Sequence, residues 1–217
     1  MNNDFWLARW REGQIGFHNE AVNPLLASHW PNLGIAPHSK VLVPFCGKSL
    51  DLVALAGWGH DVHGIEISPL AREAFFAENR LSVSRSPEYA HPAWTAGSIT
   101  FHEHDLFKLS TKTLGSFDAF YDRAACIALP EPQRPKYLRH LSTFLKPGGI
   151  WLLITLTYDQ TKRSGPPFSV DPSEITEALP GFSIHKLASA DVIGEKPKYR
   201  EEGLTSLVET VWVLRKL

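Results

Sequence analysis

The chain has almost no cysteine. Cys46 and Cys126 are the two among its 217 residues, too few for a disulfide framework, and a reducing cytoplasm is the plain expectation. It has no long hydrophobic run: the longest, Ile150 to Leu156, is far short of the ~20 apolar residues that span a bilayer. The opening Met1-Asn2-Asn3-Asp4 lacks the basic start and apolar core of a secretory signal. No sign of charge dominates: 22 Lys and Arg stand against 23 Asp and Glu, for a net charge of −1. That removes the basic footprint of a nucleic-acid binder. Internal repeats and low-complexity tracts are also missing. What is there is ordinary for a globular chain: 43% hydrophobic and 21% charged residues, enough length for one domain with a full core, and seven tryptophans, whose faces suit flat ligands.

The most informative stretch is Val41-Leu42-Val43-Pro44-Phe45-Cys46-Gly47-Lys48-Ser49-Leu50-Asp51, followed by Gly64-Ile65-Glu66-Ile67-Ser68. An apolar run ends in a glycine-containing turn. A helical pattern from Leu50 to Ala56 stops at Gly57 and Gly59, and a second apolar run ends on an acid. Glu66 stands 19 residues after Gly47. That is the layout of a nucleotide-binding βαβ unit, where turn backbone approaches the ligand and the acid accepts ribose hydroxyls. Taken alone, Glu66 also reads as an exposed strand-end acid; the spacing favours the ribose. Gly47-Lys48-Ser49 resembles the end of a phosphate-binding P-loop, but the glycine that motif needs five residues earlier is Leu42. The three-glycine dinucleotide fingerprint is absent too. One glycine beside a proline and a phenylalanine is a poor cradle for pyrophosphate, so the ligand is expected to carry a ribose without phosphate.

Hydrophobic periodicity predicts helices over residues 4–11, with Trp6 and Trp10 on one face, and over 19–30. Further helices are expected over 69–79, opened by Ser68-Pro69, and over 133–144 and 172–179. Strands are expected at 40–43, 61–65, 99–103, 117–121, 150–155, 182–187 and 207–214. Residues 82–98 read as a long irregular insertion and 158–169 as a loop. The alternation implies an α/β three-layer sandwich with a mostly parallel seven-stranded sheet, an antiparallel last strand and the ligand over the carboxyl ends of the strands. One domain is expected over 1–217: a helical lid segment at 1–30, hinged at Gly13 and Gly16, and a Rossmann-like core at 40–217.

Other motifs have competing readings. Phe101-His102-Glu103-His104-Asp105-Leu106-Phe107 invites a metal, since His102 and His104 share a strand face, but no third ligand is evident. Asp105 at the strand end near a nucleobase, with Leu106 and Phe107 as an apolar wall, is the better reading, and no metal is expected. Asp122-Arg123 is either a structural ion pair or places Arg123 in the cleft to meet a carboxylate or electron-rich acceptor. Leu145-Lys146-Pro147-Gly148-Gly149 reads as a helix stop. Cys46 sits in an apolar turn without a base and does not read as a nucleophile.

Together, the helix–LKPGG–strand element, the acid after the second strand and the aspartate after the third resemble class I S-adenosylmethionine-dependent methyltransferases. Several segments are closer still to the bacterial thiopurine S-methyltransferase family. They are 41–51, Phe5-Trp6-x-x-Arg9-Trp10-x-x-Gly13 with Gly16-Phe17-His18, Tyr121-Asp122-Arg123-Ala124-Ala125, and Gly165-Pro166-Pro167-Phe168. The resemblance runs from about residue 4 to 214. It implies methyl transfer from S-adenosyl-L-methionine to the sulfur of aromatic or heterocyclic thiols, leaving S-adenosyl-L-homocysteine. It implies that Trp10, Phe45, Glu66 and Arg123 contact the cofactor and that Gly47, Ile67, Asp105 and Leu106 line its pocket. Phe17, Pro167, Phe168 and Lys198 are then near the substrate. Phe45 stands where relatives mostly carry leucine, and Lys198 where they often carry arginine. The expected protein is a cytoplasmic monomer acting on a small-molecule thiol, away from membranes and nucleic acid. Competing readings are a thiol, halide or selenium/tellurium-oxyanion methyltransferase of the same superfamily, or a non-catalytic nucleotide binder.

Overall fold

Val41, Leu42 and Val43 are buried, as a central parallel strand covered on both faces requires. They form β1 (Lys40–Pro44), and the same logic gives β2 (Asp61–Glu66). The computed structural model describes residues 3–217, so residues 1 and 2 of the expected lid lie outside the described residues. The chain divides into two compact units, Met1–Tyr121 and Asp122–Leu217.

The first unit adds α1 (Asn3–Arg11), α2 (Pro24–His29), α3 (Asp51–Gly57), α4 (Pro69–Glu78), β3 (Ser84–Arg85), β4 (Ala93–Ala96), β5 (Ile99–Glu103), α5 (Thr111–Leu114) and β6 (Phe117–Asp122). Its strands run in the order β3-β4-β5-β2-β1-β6. β5, β2, β1 and β6 are parallel, so their carboxyl ends share one edge. β3 and β4 run antiparallel to their neighbours. Here the structure corrects the sequence reading. Within the stretch 82–98, Ser84–Arg85 and Ala93–Ala96 form an edge hairpin on β5 while the residues between them are irregular, as expected; Ala93–Ala96 finds open backbone on β5 that its weak local pattern does not announce. The helix expected from residue 19 begins instead at Pro24, with the Asn23 side chain capping Leu25 and Leu26 N–H; an N-cap followed by proline at N1 is the stronger start signal.

The second unit holds α6 (Arg134–Ser142), β7 (Leu145–Thr157), α7 (Pro172–Ala178), β8 (Phe182–Asp191), α8 (Pro197–Glu201) and β9 (Val208–Lys216). β9 lies between β7 and β8 and is antiparallel to both, as expected of the last strand. Lys146-Pro147-Gly148-Gly149 is not the helix stop. α6 already ends at Ser142, capped by Thr143, and Leu145 opens the strand. Nine strands occur among the described residues against seven expected, β3 and β4 being the additional two. No described helix is long and apolar enough to cross a membrane.

Candidate active site

The strand-end edge of the first unit gathers most of the residues singled out by sequence. After β1 the chain makes a tight turn in which Phe45 and Gly47 both take left-handed backbone, at φ 46° and 52°. Glycine adopts this at no cost, whereas Phe45 does so against a penalty of ~1–2 kcal/mol. The turn is held by Glu66 at the end of β2. Oε2 accepts from Gly47 N–H at 3.1 Å, and Oε1 accepts from Ile67 N–H at 2.8 Å and Ser68 N–H at 2.9 Å. The residue is 6% exposed. Burial pushes its carboxyl up from the ordinary value, while the three N–H donors pull it back. Glu66 is therefore not the exposed strand-end acid. A carboxylate has about four lone-pair positions; the three backbone donors use two on Oε1 and one on Oε2. The backbone bonds were not legible in sequence, because only folding brings the turn onto the acid.

Aromatic rings cover this turn. A Cβ at Gly47 would lie 3.2 Å from Trp10 Cζ2 and 3.9 Å from Phe17 Cε2, so glycine here lets α1 and the segment after it approach. Trp10 is buried and meets Phe17 edge-on at 5.8 Å, and Phe17 meets Trp6 at the same distance. At the neighbouring strand end, Asp105 caps Phe107 N–H through Oδ1 at 2.9 Å, and its Oδ2 accepts from the Asn3 side chain at 3.0 Å. Leu106 is fully buried and Ile67 half-buried. The first unit thus brings together Trp10, Phe17, Phe45, Gly47, Glu66 and Ile67 by contact or sequence, with Asp105 and Leu106 at the adjacent strand end.

Asp51 was not singled out by sequence and proves structural. It is 2% exposed; Oδ1 accepts from Asn23 N–H at 2.8 Å and Oδ2 from Tyr121 O–H at 3.0 Å. It ties the segment leading into α2 to the start of α3 and the end of β6. Cys46 is buried, and burial and the Glu66 charge push its thiol well up; a thiol so held is no nucleophile.

The histidines lie in a chain of rings. His102 is fully buried, with Nε2 2.9 Å from His63 Nδ1 and Nδ1 2.9 Å from His91 Nε2; His63 Nε2 is 3.3 Å from Asp61 Oδ2. A carboxylate only accepts, so the proton order follows: each Nε2 carries hydrogen and points toward Asp61. His104 stacks on His91 rather than joining His102. Burial and the neighbouring rings hold His102 neutral, its pKa lowered to about 2. Among the described residues no group of three or more His, Cys, Asp or Glu is arranged to hold a metal ion.

In the second unit, Asp122 is fully buried and accepts from Cys126 N–H at 3.1 Å and Tyr137 O–H at 2.6 Å. Arg123, half-buried, lies where its charge acts on Glu209. Phe168 N–H donates to Ile127 C=O at 2.7 Å, and Pro167 C=O accepts from Tyr158 O–H at 2.6 Å. Lys198 is exposed in α8.

The family profile described as Thiopurine S-methyltransferase (TPMT) matches residues 1–217. The chain belongs to that family. A thiopurine S-methyltransferase of Bordetella petrii is 44% identical over 217 residues, covering all of this chain and 99% of the relative. Among solved structures, an S-adenosylmethionine-dependent methyltransferase from Anabaena variabilis aligns with TM-score 0.70 at 16% identity, over 100% of this chain and 96% of that one. A magnesium protoporphyrin IX methyltransferase from Synechocystis with bound S-adenosylhomocysteine aligns at TM-score 0.63 and 15% identity, over 99% and 96%. At such identity these two speak for the fold, which is the Rossmann-like methyltransferase fold. Full-length membership makes this thiopurine S-methyltransferase family chain a methyltransferase.

Proposed function

We propose that this protein transfers the methyl group of S-adenosyl-L-methionine to the sulfur of aromatic and heterocyclic thiols such as thiopurines. The observation that carries the reading is the Glu66 cradle: a buried carboxylate, with two backbone donors on Oε1 and one on Oε2, against a left-handed glycine turn roofed by Trp10. The donor set fits that cofactor. It offers an acceptor for a ribose hydroxyl, apolar walls at Phe45, Ile67 and Leu106, and Asp105 at the neighbouring strand end, with no glycine-rich loop for phosphate.

S-adenosylmethionine, when bound, supplies a methyl group activated by its sulfonium charge. The chain's own work is to orient the reactants and exclude water, and such positioning is worth ~7–11 kcal/mol. Trp10, Phe45, Gly47, Glu66, Ile67, Asp105 and Leu106 hold the cofactor. Arg123 meets either the acceptor's negative sulfur or the cofactor carboxylate, where a guanidinium forms paired hydrogen bonds. Phe17, Pro167, Phe168 and Lys198 attend the acceptor. An aromatic thiol is acidic enough to be partly ionised near neutral pH, so no strong base is required, and the inert Cys46 agrees with a direct transfer. We place the protein in the cytoplasm, where its two buried thiols stay reduced, and read it as a monomer.

The test is an acceptor panel with labelled methyl donor, covering thiopurines, thiophenols, aliphatic thiols, halide and selenium or tellurium oxyanions. Transfer to the aromatic thiols with the highest kcat/KM is expected. Transfer only to halide or oxyanion would replace the acceptor class, and calorimetric binding of NAD without binding of S-adenosylhomocysteine would overturn the reading altogether.

A further inference from the structure

The loop 158–169 and the segment around α8 share a small apolar core and a polar clasp built on Arg163. Arg163 is 15% exposed and forms an ion pair with Glu202. Its guanidinium lies over the Tyr199 ring, 4.5 Å from the centroid, and Nη2 donates to Pro166 C=O at 3.2 Å. One planar group thus grips the loop on one side and two residues of the α8 segment on the other. Around it, the loop is bonded to itself. Gln160 Nε2 donates to Tyr158 Oη at 3.1 Å, Gln160 Oε1 accepts from Ser169 N–H at 2.8 Å, and Gln160 Nε2 also reaches Arg163 C=O. Gly165 has φ 73°, and a Cβ there would fall 2.5 Å from Phe168 Cδ1. The Phe168 ring therefore lies directly on glycine backbone, fixed from below, while its own N–H is bonded to Ile127. Tyr158, Leu204 and Leu207 form the small core beneath, with Tyr199 packed against it.

We propose that Arg163 is the positioning residue of the acceptor site, setting where Phe168 stands relative to Lys198. The inference rests on the assignment of Pro167, Phe168 and Lys198 to the acceptor. Arg163 acts through their neighbours: it fixes the carbonyl of Pro166, two residues before Phe168, and it fixes Tyr199, the neighbour of Lys198. A lysine at position 163 would keep the charge on Glu202 and lose the flat stacking on Tyr199 and the second donor to Pro166. The clasp therefore requires arginine geometry, and its loss should be felt by the acceptor alone.

The experiment compares wild type with Arg163→Lys, Arg163→Gln, Glu202→Gln, Tyr199→Leu and the double variant Arg163→Gln with Glu202→Gln in the full chain. It measures steady-state kinetics for an aromatic thiol, calorimetric affinity for S-adenosylhomocysteine and thermal midpoint. For the Arg163 variants, kcat/KM for the thiol should fall about 10- to 100-fold, the scale of a small misplacement of a positioned reactant. S-adenosylhomocysteine affinity should stay within about twofold of wild type, and the two changes at 163 and 202 should be non-additive. Should Arg163→Gln fail to fold, Glu202→Gln and Tyr199→Leu each remove one grip and carry the test. Unchanged thiol kinetics in folded variants overturn the proposal, as does a loss confined to thermal midpoint or to cofactor affinity. A wild-type enzyme that methylates no aromatic thiol would sink the acceptor assignment instead, which separates the two failures.

Discussion

Replacing Glu66 by alanine tests both halves of the site's construction. The side chain accepts three backbone N–H groups, from Gly47, Ile67 and Ser68. Each such bond contributes ~1 kcal/mol net, so the ligand-free variant should lose about 3 kcal/mol of stability. That is a large share of the ~5–15 kcal/mol that holds a domain together. Part of this is recovered because an expensively buried charge disappears, as its raised pKa attests. Binding suffers separately: a lost hydrogen bond to a charged group costs ~1.5–3 kcal/mol, or about 10- to 100-fold in affinity for S-adenosylhomocysteine. Glu66→Gln divides the two effects. Its oxygen retains Ile67 and Ser68, while its NH2 faces Gly47 N–H where Oε2 had been. It should therefore lose about 1–2 kcal/mol of stability yet bind nearly as poorly as the alanine variant, since Oε2 is the oxygen proposed to accept from the ribose hydroxyl. Urea denaturation without ligand and titration calorimetry read the two quantities independently. If Glu66→Ala unfolds at the wild-type urea midpoint, the cradle does not hold the turn; if it binds S-adenosylhomocysteine as tightly as wild type, Glu66 is not in the site.

Two further outcomes are expected. Added S-adenosylhomocysteine should slow hydrogen exchange across residues 4–17, because Trp10 and Phe17 already roof Gly47 and a covered ligand fixes its cover; deleting residues 1–12 should leave a folded protein with little activity, and a truncation that unfolds would place Trp10 in the core. Asp122 has its carboxyl raised to about 6 by burial against an ordinary value of 3.8, so the native state keeps a proton that the unfolded chain releases between those values, and stability falls as pH rises through that window. Two units correspond to ~3 kcal/mol. Asp122→Asn, which can still serve Tyr137 and Cys126, should remove that slope from stability measured at intervals between pH 4 and 6.5; an identical slope in the variant would assign the effect elsewhere.

The turn after β1, α3, β2 and the acid at its end were legible in sequence because each is a local pattern: an apolar run, a glycine, a 3.6-residue period, a second run. The capping pair Ser68-Pro69 and the strand at Ile99–Glu103 were legible for the same reason. Family resemblance rested on contiguous segments and needed no geometry. What Glu66 does with its oxygens depended on folding, since Gly47 reaches it only when β1 and β2 pair. The same holds for Asn3 on Asp105, for Asn23 and Tyr121 on Asp51, for the ring chain from His63 through His102 to His91, and for Arg163 on Glu202. The edge hairpin β3–β4 took its strand character from open backbone on β5 rather than from its own residues. Periodicity reports which face of an element is apolar. It carries no record of which distant polar group arrives to satisfy a buried donor, and in this protein those distant pairings shape the candidate site.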